Sequence, residues 1–184
     1  MAEATIRNER APFDYTEEQT ELRSILPRFS AQWSSPARIP KDPSRCDPRM
    51  WAQLTEQLGL TAILVPERHG GMGGTWVDLA ISLEETGAAL LSTPYFATAV
   101  LGTTTILLCE DERANAEYLP AIAAGTLRST LAVRPEHAAH HPVQPAATAT
   151  GDGATWTVSA SGLTAIDGEA ADLIPAPLTR RDAS

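Results

Sequence analysis

Four glycines crowd one short stretch of the chain, at Gly70, Gly71, Gly73 and Gly74. Backbone N–H groups in a glycine-rich loop can cradle a phosphate and so support nucleotide chemistry. That use needs a preceding strand and a defined spacing, with Lys-Ser/Thr following in the P-loop form. Here no lysine is present, and the apolar residues before the glycines follow a helix signal. The cluster reads instead as a tight reversal between two helices, with positive φ at some of its positions. His137, His140 and His141 have a spacing that could gather a metal, but Glu136 is the sole carboxylate beside them. They read as a solvated loop, and no metal site is assigned. Glu84 and Glu85 are adjacent, and adjacent helical side chains diverge, so they read as one solvated and one locally paired carboxylate. Cys46 and Cys109 lack metal-type spacing and read as two reduced thiols in a cytoplasmic protein. No Ser-His-Asp or Cys-His arrangement stands out, so no catalytic residue is assigned.

The elements that must position these residues are mostly helical. Thr16 with Gln19 predicts a capping box, followed by Leu22, Ile25, Leu26 and Phe29 at helical spacing, with Pro27 expected to kink or end the helix. Asp47 followed by Pro48 predicts a second helix, with Trp51, Leu54 and Leu58 as its apolar stripe and Gly59 as its C-terminal cap. Thr75 with Asp78 opens a third, expected to carry Leu79, Leu83 and Leu90 on one side. A fourth is expected over 95–108, and a fifth starts at Asp111 and stops at Gly125. The period changes after Gly125. Residues 129–133 are β-prone, 147–150 and 155–160 read as a hairpin, and Leu173 with Ile174 starts a strand cut by Pro175 and Pro177. The tail from Thr179 reads as frayed. The expected fold is mainly α, an antiparallel helical bundle over 1–127 followed by an incomplete β-domain over 128–184. So few strands leave exposed edges that favour association.

Bulk chemistry narrows the partners. The chain of 184 residues has a net charge of −9 and a single lysine, Lys41. Nucleic-acid binding needs clustered cations, and an anionic membrane surface selects for them too, so neither partner is expected. No stretch is long and apolar enough to read as a membrane span or a signal peptide.

Several motifs together carry a resemblance. Leu58 and Gly59 are followed by Val65-Pro66-Glu67, two residues, and then Gly70-Gly71-Met72-Gly73-Gly74. Further on come Leu83-Glu84-Glu85-Thr86-Gly87 with Pro94 after it, Tyr118-Leu119-Pro120 with Gly125 after it, Asp167-Gly168, and Ala171-Asp172-Leu173. In order and spacing this series resembles the N-terminal and middle domains of acyl-CoA dehydrogenases, over roughly 15–174. The resemblance implies an FAD-dependent oxidoreductase of lipid metabolism, acting on fatty acyl or steroid side-chain substrates. An acyl-CoA thioester would be oxidised between Cα and Cβ. A glutamate base removes the α-proton while donors hold the thioester oxygen, and the flavin takes the β-hydride.

The resemblance also places candidate site residues. The flavin motif falls on 133–140, with Val133 where a threonine hydroxyl would contact the cofactor and Ala139 in place of a serine. The Trp-Ile-Thr element beside the flavin ring falls on Thr164, Ala165 and Ile166. Thr98 and Leu101 on the fourth helix are placed against the acyl chain. The family's C-terminal helical domain, with its base, has no counterpart in the 184 residues. The expectation is a chain that is inactive alone. It would be a truncated chain or a diverged subunit lacking flavin contacts, in a homo- or hetero-oligomer with another acyl-CoA dehydrogenase chain. The alternative is an inactive remnant that serves as an interaction module.

Overall fold

The computed structural model describes residues 14–34, 46–134, 147–151 and 155–182. Helix α1 (Glu17–Ala31) starts from the predicted capping box: Gln19 N–H donates to Thr16 Oγ1, and Gln19 Oε1 accepts from Thr16 N–H. It runs through Pro27 to Ala31 rather than ending there. A proline costs a helix one hydrogen bond to the fourth residue back, and burial of Leu26 and Phe29 on either side of it offsets that loss.

Helix α2 (Pro48–Ala52), capped by Asp47, continues as a π-helical turn (Gln53–Gln57) and closes at Gly59, whose φ is +64°. The chain then takes two 3₁₀ turns, Leu60–Ala62 and Glu67–His69, before α3 (Trp76–Ala88). The glycine cluster lies between the second turn and α3, and its N–H groups are already spoken for. Met72, Gly73 and Gly74 donate to the carbonyls of Ala62, Val65 and Ile63 at 2.8, 2.9 and 2.7 Å. A Cβ at Gly71 would stand 1.9 Å from Val65 O. The cluster is a folded reversal, with positive φ at Gly70 and Gly73, and its donors serve the protein's own backbone.

Helix α3 carries Leu79 and Leu83 inward, but it ends at Ala88, before Leu90. Leu90 adopts φ +52° and is 81% exposed, so it does not join that stripe as expected. Gly87 weakens the last turn, and the chain turns toward Pro94 instead. A π-helical segment (Phe96–Gly102) leads into α4 (Thr103–Leu108), and Asp111 caps α5 (Glu112–Ala123). Glu84 and Glu85 diverge as expected, yet both reach Arg23 of α1, at 2.8 and 3.8 Å, because the broad guanidinium spans their separation.

Two cores form. Leu26, Leu54, Leu60, Leu79 and Tyr95 are fully buried in the first. The Tyr95 hydroxyl shares a hydrogen bond with Ser82 Oγ and donates to Leu60 O, so the ring is buried without orphaning its oxygen. The second core holds Val65, Ile106, Leu119 and Ile122. Each such side chain contributes about 1.5–3 kcal/mol on burial.

The β-region consists of small sheets. Strand β1 (Ala132–Val133) pairs antiparallel with β4 (Thr164–Ala165). Strands β2 (Ala147–Gly151) and β3 (Trp156–Ala160) pair antiparallel, as the hairpin reading required, and β5 (Leu178–Asp182) lies parallel to β2 on its other side. The sheet order is therefore β3-β2-β5. Two expectations are corrected. Leu173 makes an isolated bridge to Ser129, with no strand of its own, and the tail that reads as frayed forms β5. The prolines at 175 and 177 act as an entry to a strand, because proline is tolerated just ahead of one. Arg180 then stacks on Trp156 across β2, 4.4 Å from the ring centroid, over the bare backbone of Gly151.

Leu173 packs against the second core and so ties the β-region to the helices. Trp51 Nε1 donates to Gly125 O at 2.8 Å, and Gly102 lies so close to Ser129 that a Cβ would come within 2.4 Å of its side chain. The architecture is mainly α with a partial β-region.

Candidate functional site

The candidate site is built where the fourth helical segment meets the first β-strand. Thr98 lies on the π-helical turn and is fully buried, and its Oγ1 has no hydrogen-bond partner among the described residues. Thr98 O accepts from Thr103 Oγ1 at 2.8 Å, a bond that the widened turn permits. Leu101 is half-buried one residue before Gly102, at the place where the helix touches Ser129.

From Ser129 the chain runs into β1. Val133 is half-buried and lies directly opposite the exposed Thr164, with Ala132 opposite Ala165. Ile166 follows, half exposed, and its carbonyl accepts from Thr130 Oγ1 at 2.7 Å. The fold thus brings together Val133, Thr164 and Ile166, three of the four candidate flavin positions. Ala139, and with it His137, His140 and His141, lies outside the described residues.

Two clefts open among the described residues. One, of about 560 Å³, is lined by Leu83, Thr86, Leu90, Leu91, Tyr95 and Phe96 among others. The other, of about 270 Å³, is lined by Cys46, Ser92, Thr93, Pro94, Asp167 and Ala170 as well as Leu91. Leu91 and Thr93 belong to both walls. The first cleft is apolar and the second polar. Burial pushes the Asp167 carboxyl up from its ordinary range, and burial likewise raises the Cys46 thiol. Asp167 adopts φ +54°, a conformation that Asp tolerates better than most residues.

Sequence reasoning did not single out Leu91, Thr93 or Phe96 as cleft residues. The signal was slight: a Leu-Leu pair placed just before Ser92-Thr93-Pro94, where a helix had to stop. Neither Thr98 nor Leu101 lines either cleft.

The side chains of the β1–β4 junction do not fit what a flavin ring needs. Val133 and Ile166 present methyl groups where the resemblance would put hydroxyl donors, and Thr164 offers a small, exposed side chain where it would put a flat packing surface. Only backbone groups remain there to hold a ring. Among the described residues no group of three His, Cys, Asp or Glu could hold a metal ion, and no helix is long and apolar enough to cross a membrane.

Comparison with known proteins places this geometry. Residues 16–126 match the model of the acyl-CoA dehydrogenase N-terminal domain, which is more than half of the chain. Acyl-CoA dehydrogenase IpdE2 of Mycolicibacterium smegmatis is 39% identical over 90 residues, covering 49% of this chain and 27% of that protein. IpdE2 of Mycobacterium tuberculosis is 31% identical over 126 residues, 66% of this chain and 38% of that protein. The chain therefore spans less than two fifths of either relative. Among solved structures, the Tcur3481-Tcur3483 steroid ACAD shares 25% identity over 89% of this chain and 45% of its own, with a TM-score of 0.74. The ChsE4-ChsE5 complex from Mycobacterium tuberculosis shares the fold at a TM-score of 0.77, with 20% identity over 92% of this chain and 46% of its own. The helical unit, the glycine reversal and the short β-region are those of a known family, and this chain belongs to the acyl-CoA dehydrogenases.

Proposed function

We propose that this chain is a diverged subunit of an acyl-CoA dehydrogenase that acts beside a flavin-competent chain. The reaction of the assembly is oxidation of an acyl-CoA between Cα and Cβ, with FAD as the hydride acceptor when bound. This chain contributes its helical unit, with Thr98 and Leu101 placed toward the acyl group. It does not contribute the side-chain contacts that hold the flavin.

The observation that supports the reading is the pairing of Val133 with Thr164, followed by Ile166: the positions that the resemblance assigns to the flavin lie together, and Val133 and Ile166 carry no hydroxyl. Each missing hydrogen bond weakens cofactor binding by about 1 kcal/mol. Two of the structures that share this fold are named as pairs, Tcur3481-Tcur3483 and ChsE4-ChsE5, which supports a hetero-oligomer. A division near residue 127 between a helical and a β-domain belongs to the same reading. So does a cytoplasmic setting, which the two unpaired thiols favour.

The experiment is to purify the chain alone, and separately by affinity from its own cells, and to record the flavin absorption band and acyl-CoA-dependent reduction of an artificial acceptor. The chain alone is expected to be colourless and inactive, and the affinity-purified sample to be yellow, with a second acyl-CoA dehydrogenase chain in it. A yellow, active preparation of the chain alone overturns the reading. A colourless native sample with no second dehydrogenase chain would leave an inactive interaction module in its place.

A further inference from the structure

The segment that carries Thr98 and Leu101 is wound more widely than the α4 that continues it. The π-helical turn (Phe96–Gly102) ends where Thr103 N–H donates to Thr98 O, five residues back, and not to Ala99 O, four back, as an α-helix would require. A turn widened by one residue sets what precedes it about 100° away from the phase of a continuous α-helix. Both sides of the turn are anchored. Tyr95 and Ala99 are buried in the first core and Ile106 in the second, and Gly102 faces Ser129 too closely to admit a Cβ. The faces on which Thr98 and Leu101 stand therefore depend on the wide turn.

Three consecutive threonines, Thr103, Thr104 and Thr105, open α4, although β-branched residues are weak helix formers. Each turns its hydroxyl back on the wide turn. Thr103 Oγ1 donates to Thr98 O at 2.8 Å, Thr104 Oγ1 to Val100 O at 2.5 Å and Thr105 Oγ1 to Leu101 O at 2.6 Å. The last two are the ordinary bond to the fourth residue back. The first reaches the fifth, so Thr98 O receives both the amide and the hydroxyl of Thr103. Thr103 is fully buried, where bulk water does not compete for its hydroxyl.

We propose that Thr103 is a positioning residue for acyl recognition: its hydroxyl holds the turn in the π register and so sets the faces that Thr98 and Leu101 present to the acyl group. The proposal rests on the acyl-facing reading of those two residues. Without the hydroxyl, Thr103 N–H moves to Ala99 O, the segment winds as α, and the acyl-facing side chains rotate away.

Two measurements test it. On the chain alone, NMR couplings across the hydrogen bond should join Thr103 N–H to the Thr98 carbonyl carbon in the parent. In Thr103→Val that coupling should weaken and one to Ala99 should appear, while Thr103→Ser, which keeps the hydroxyl, should match the parent. Thr103→Ala takes the place of Thr103→Val if the latter does not fold. In the affinity-purified assembly, Thr103→Val is expected to change the relative kcat/KM across straight-chain and steroid side-chain acyl-CoA thioesters roughly fivefold, the worth of one hydrogen bond. The change should come through KM, with the flavin absorption band unchanged, and Thr103→Ser should keep the parent preference. Leu101→Ala in the same assay separates the clamp from the reading beneath it. If Leu101→Ala shifts the preference and Thr103→Val does not, the clamp alone is overturned. If neither shifts it, or the parent assembly turns over none of the thioesters, the acyl-facing reading fails and the proposal falls with it. Parent-like couplings in Thr103→Val overturn the proposal, as does a Thr103→Ser variant that behaves like Thr103→Val, since the hydroxyl would then not be what holds the turn.

Discussion

Val133 and Thr164 stand directly opposite one another on β1 and β4, in register, although neither sequence segment signals the other. Their neighbours are locked in the same arrangement, since Thr130 Oγ1 donates to the Ile166 carbonyl at 2.7 Å. The backbone at the positions that the resemblance assigns to the flavin is therefore held in register, and the side chains there are what differ from the family pattern.

Restoring those side chains should restore affinity. The double variant Val133→Thr, Ile166→Thr adds two hydroxyls at about 1 kcal/mol each, so FAD should bind roughly tenfold to thirtyfold more tightly than to the parent. Titration followed by quenching of flavin fluorescence measures this. No change in affinity would show that the junction is not where the cofactor lies.

Two glycines should respond in opposite ways to the same substitution. Gly102→Ala forces a Cβ to within 2.4 Å of the Ser129 side chain and 2.9 Å of its backbone carbon, at the contact between helices and β-region. It should cost about 1–3 kcal/mol. Gly87 lies inside α3 with nothing within 4 Å of its would-be Cβ, and Gly87→Ala should stabilise by about 0.5–1 kcal/mol. Urea denaturation of both variants tests the pair, and a stable Gly102→Ala protein would mean that the Ser129 contact is loose.

The two aspartates of the β-region predict opposite pH responses. Hydrogen bonds from the Arg128 side chain and backbone hold Asp172 below the usual carboxylate range, against a burial that works the other way. The folded value is depressed, so this stabilisation is complete above about pH 4 and is lost as pH falls through the folded value. Asp172→Asn should destabilise slightly at pH 7, by less than about 1 kcal/mol since both side chains are over a third exposed, with a correspondingly small drop in melting temperature, and the variant should converge with the parent in acid. Burial raises Asp167, so its charge opposes folding at neutral pH, and that penalty vanishes as pH falls below about 4. Asp167→Asn should therefore raise the melting temperature at pH 7, and Asn keeps the tolerance for positive φ. Identical pH profiles for parent and variants would refute both statements.

Thr98 offers a further check. Its hydroxyl is fully buried without a partner among the described residues, so the near-isosteric Thr98→Val removes an unmet polar group. Stability should hold or rise by about 1 kcal/mol in thermal unfolding. If the hydroxyl faces the acyl group, the same variant should change the acyl-chain preference of the assembled enzyme. A loss of more than about 1 kcal/mol in the free chain would instead reveal a hidden structural hydrogen bond.

The helical unit was legible in the sequence because its signals are local. Thr16, Asp47, Thr75 and Asp111 each cap a helix within three residues of themselves, and Gly59, Gly70, Gly73 and Gly125 mark positions where only positive φ closes the turn. That Val133 and Ile166 carry no hydroxyl is likewise plain from residue type. What the sequence could not supply was anything that depends on a distant partner. The glycine cluster's N–H groups were unassigned until the fold brought the carbonyls of Ala62, Ile63 and Val65 onto them. Leu90 carried a helical period, but the helix stopped at Ala88 and the leucine went to the wall of a cleft. Residues 178–182 have no strand pattern strong enough to stand alone, and they form β5 only because β2 offers a free edge and Trp156 a face for Arg180. A cap is satisfied by its own neighbours in the chain, whereas a strand takes its shape from a partner that the sequence does not name.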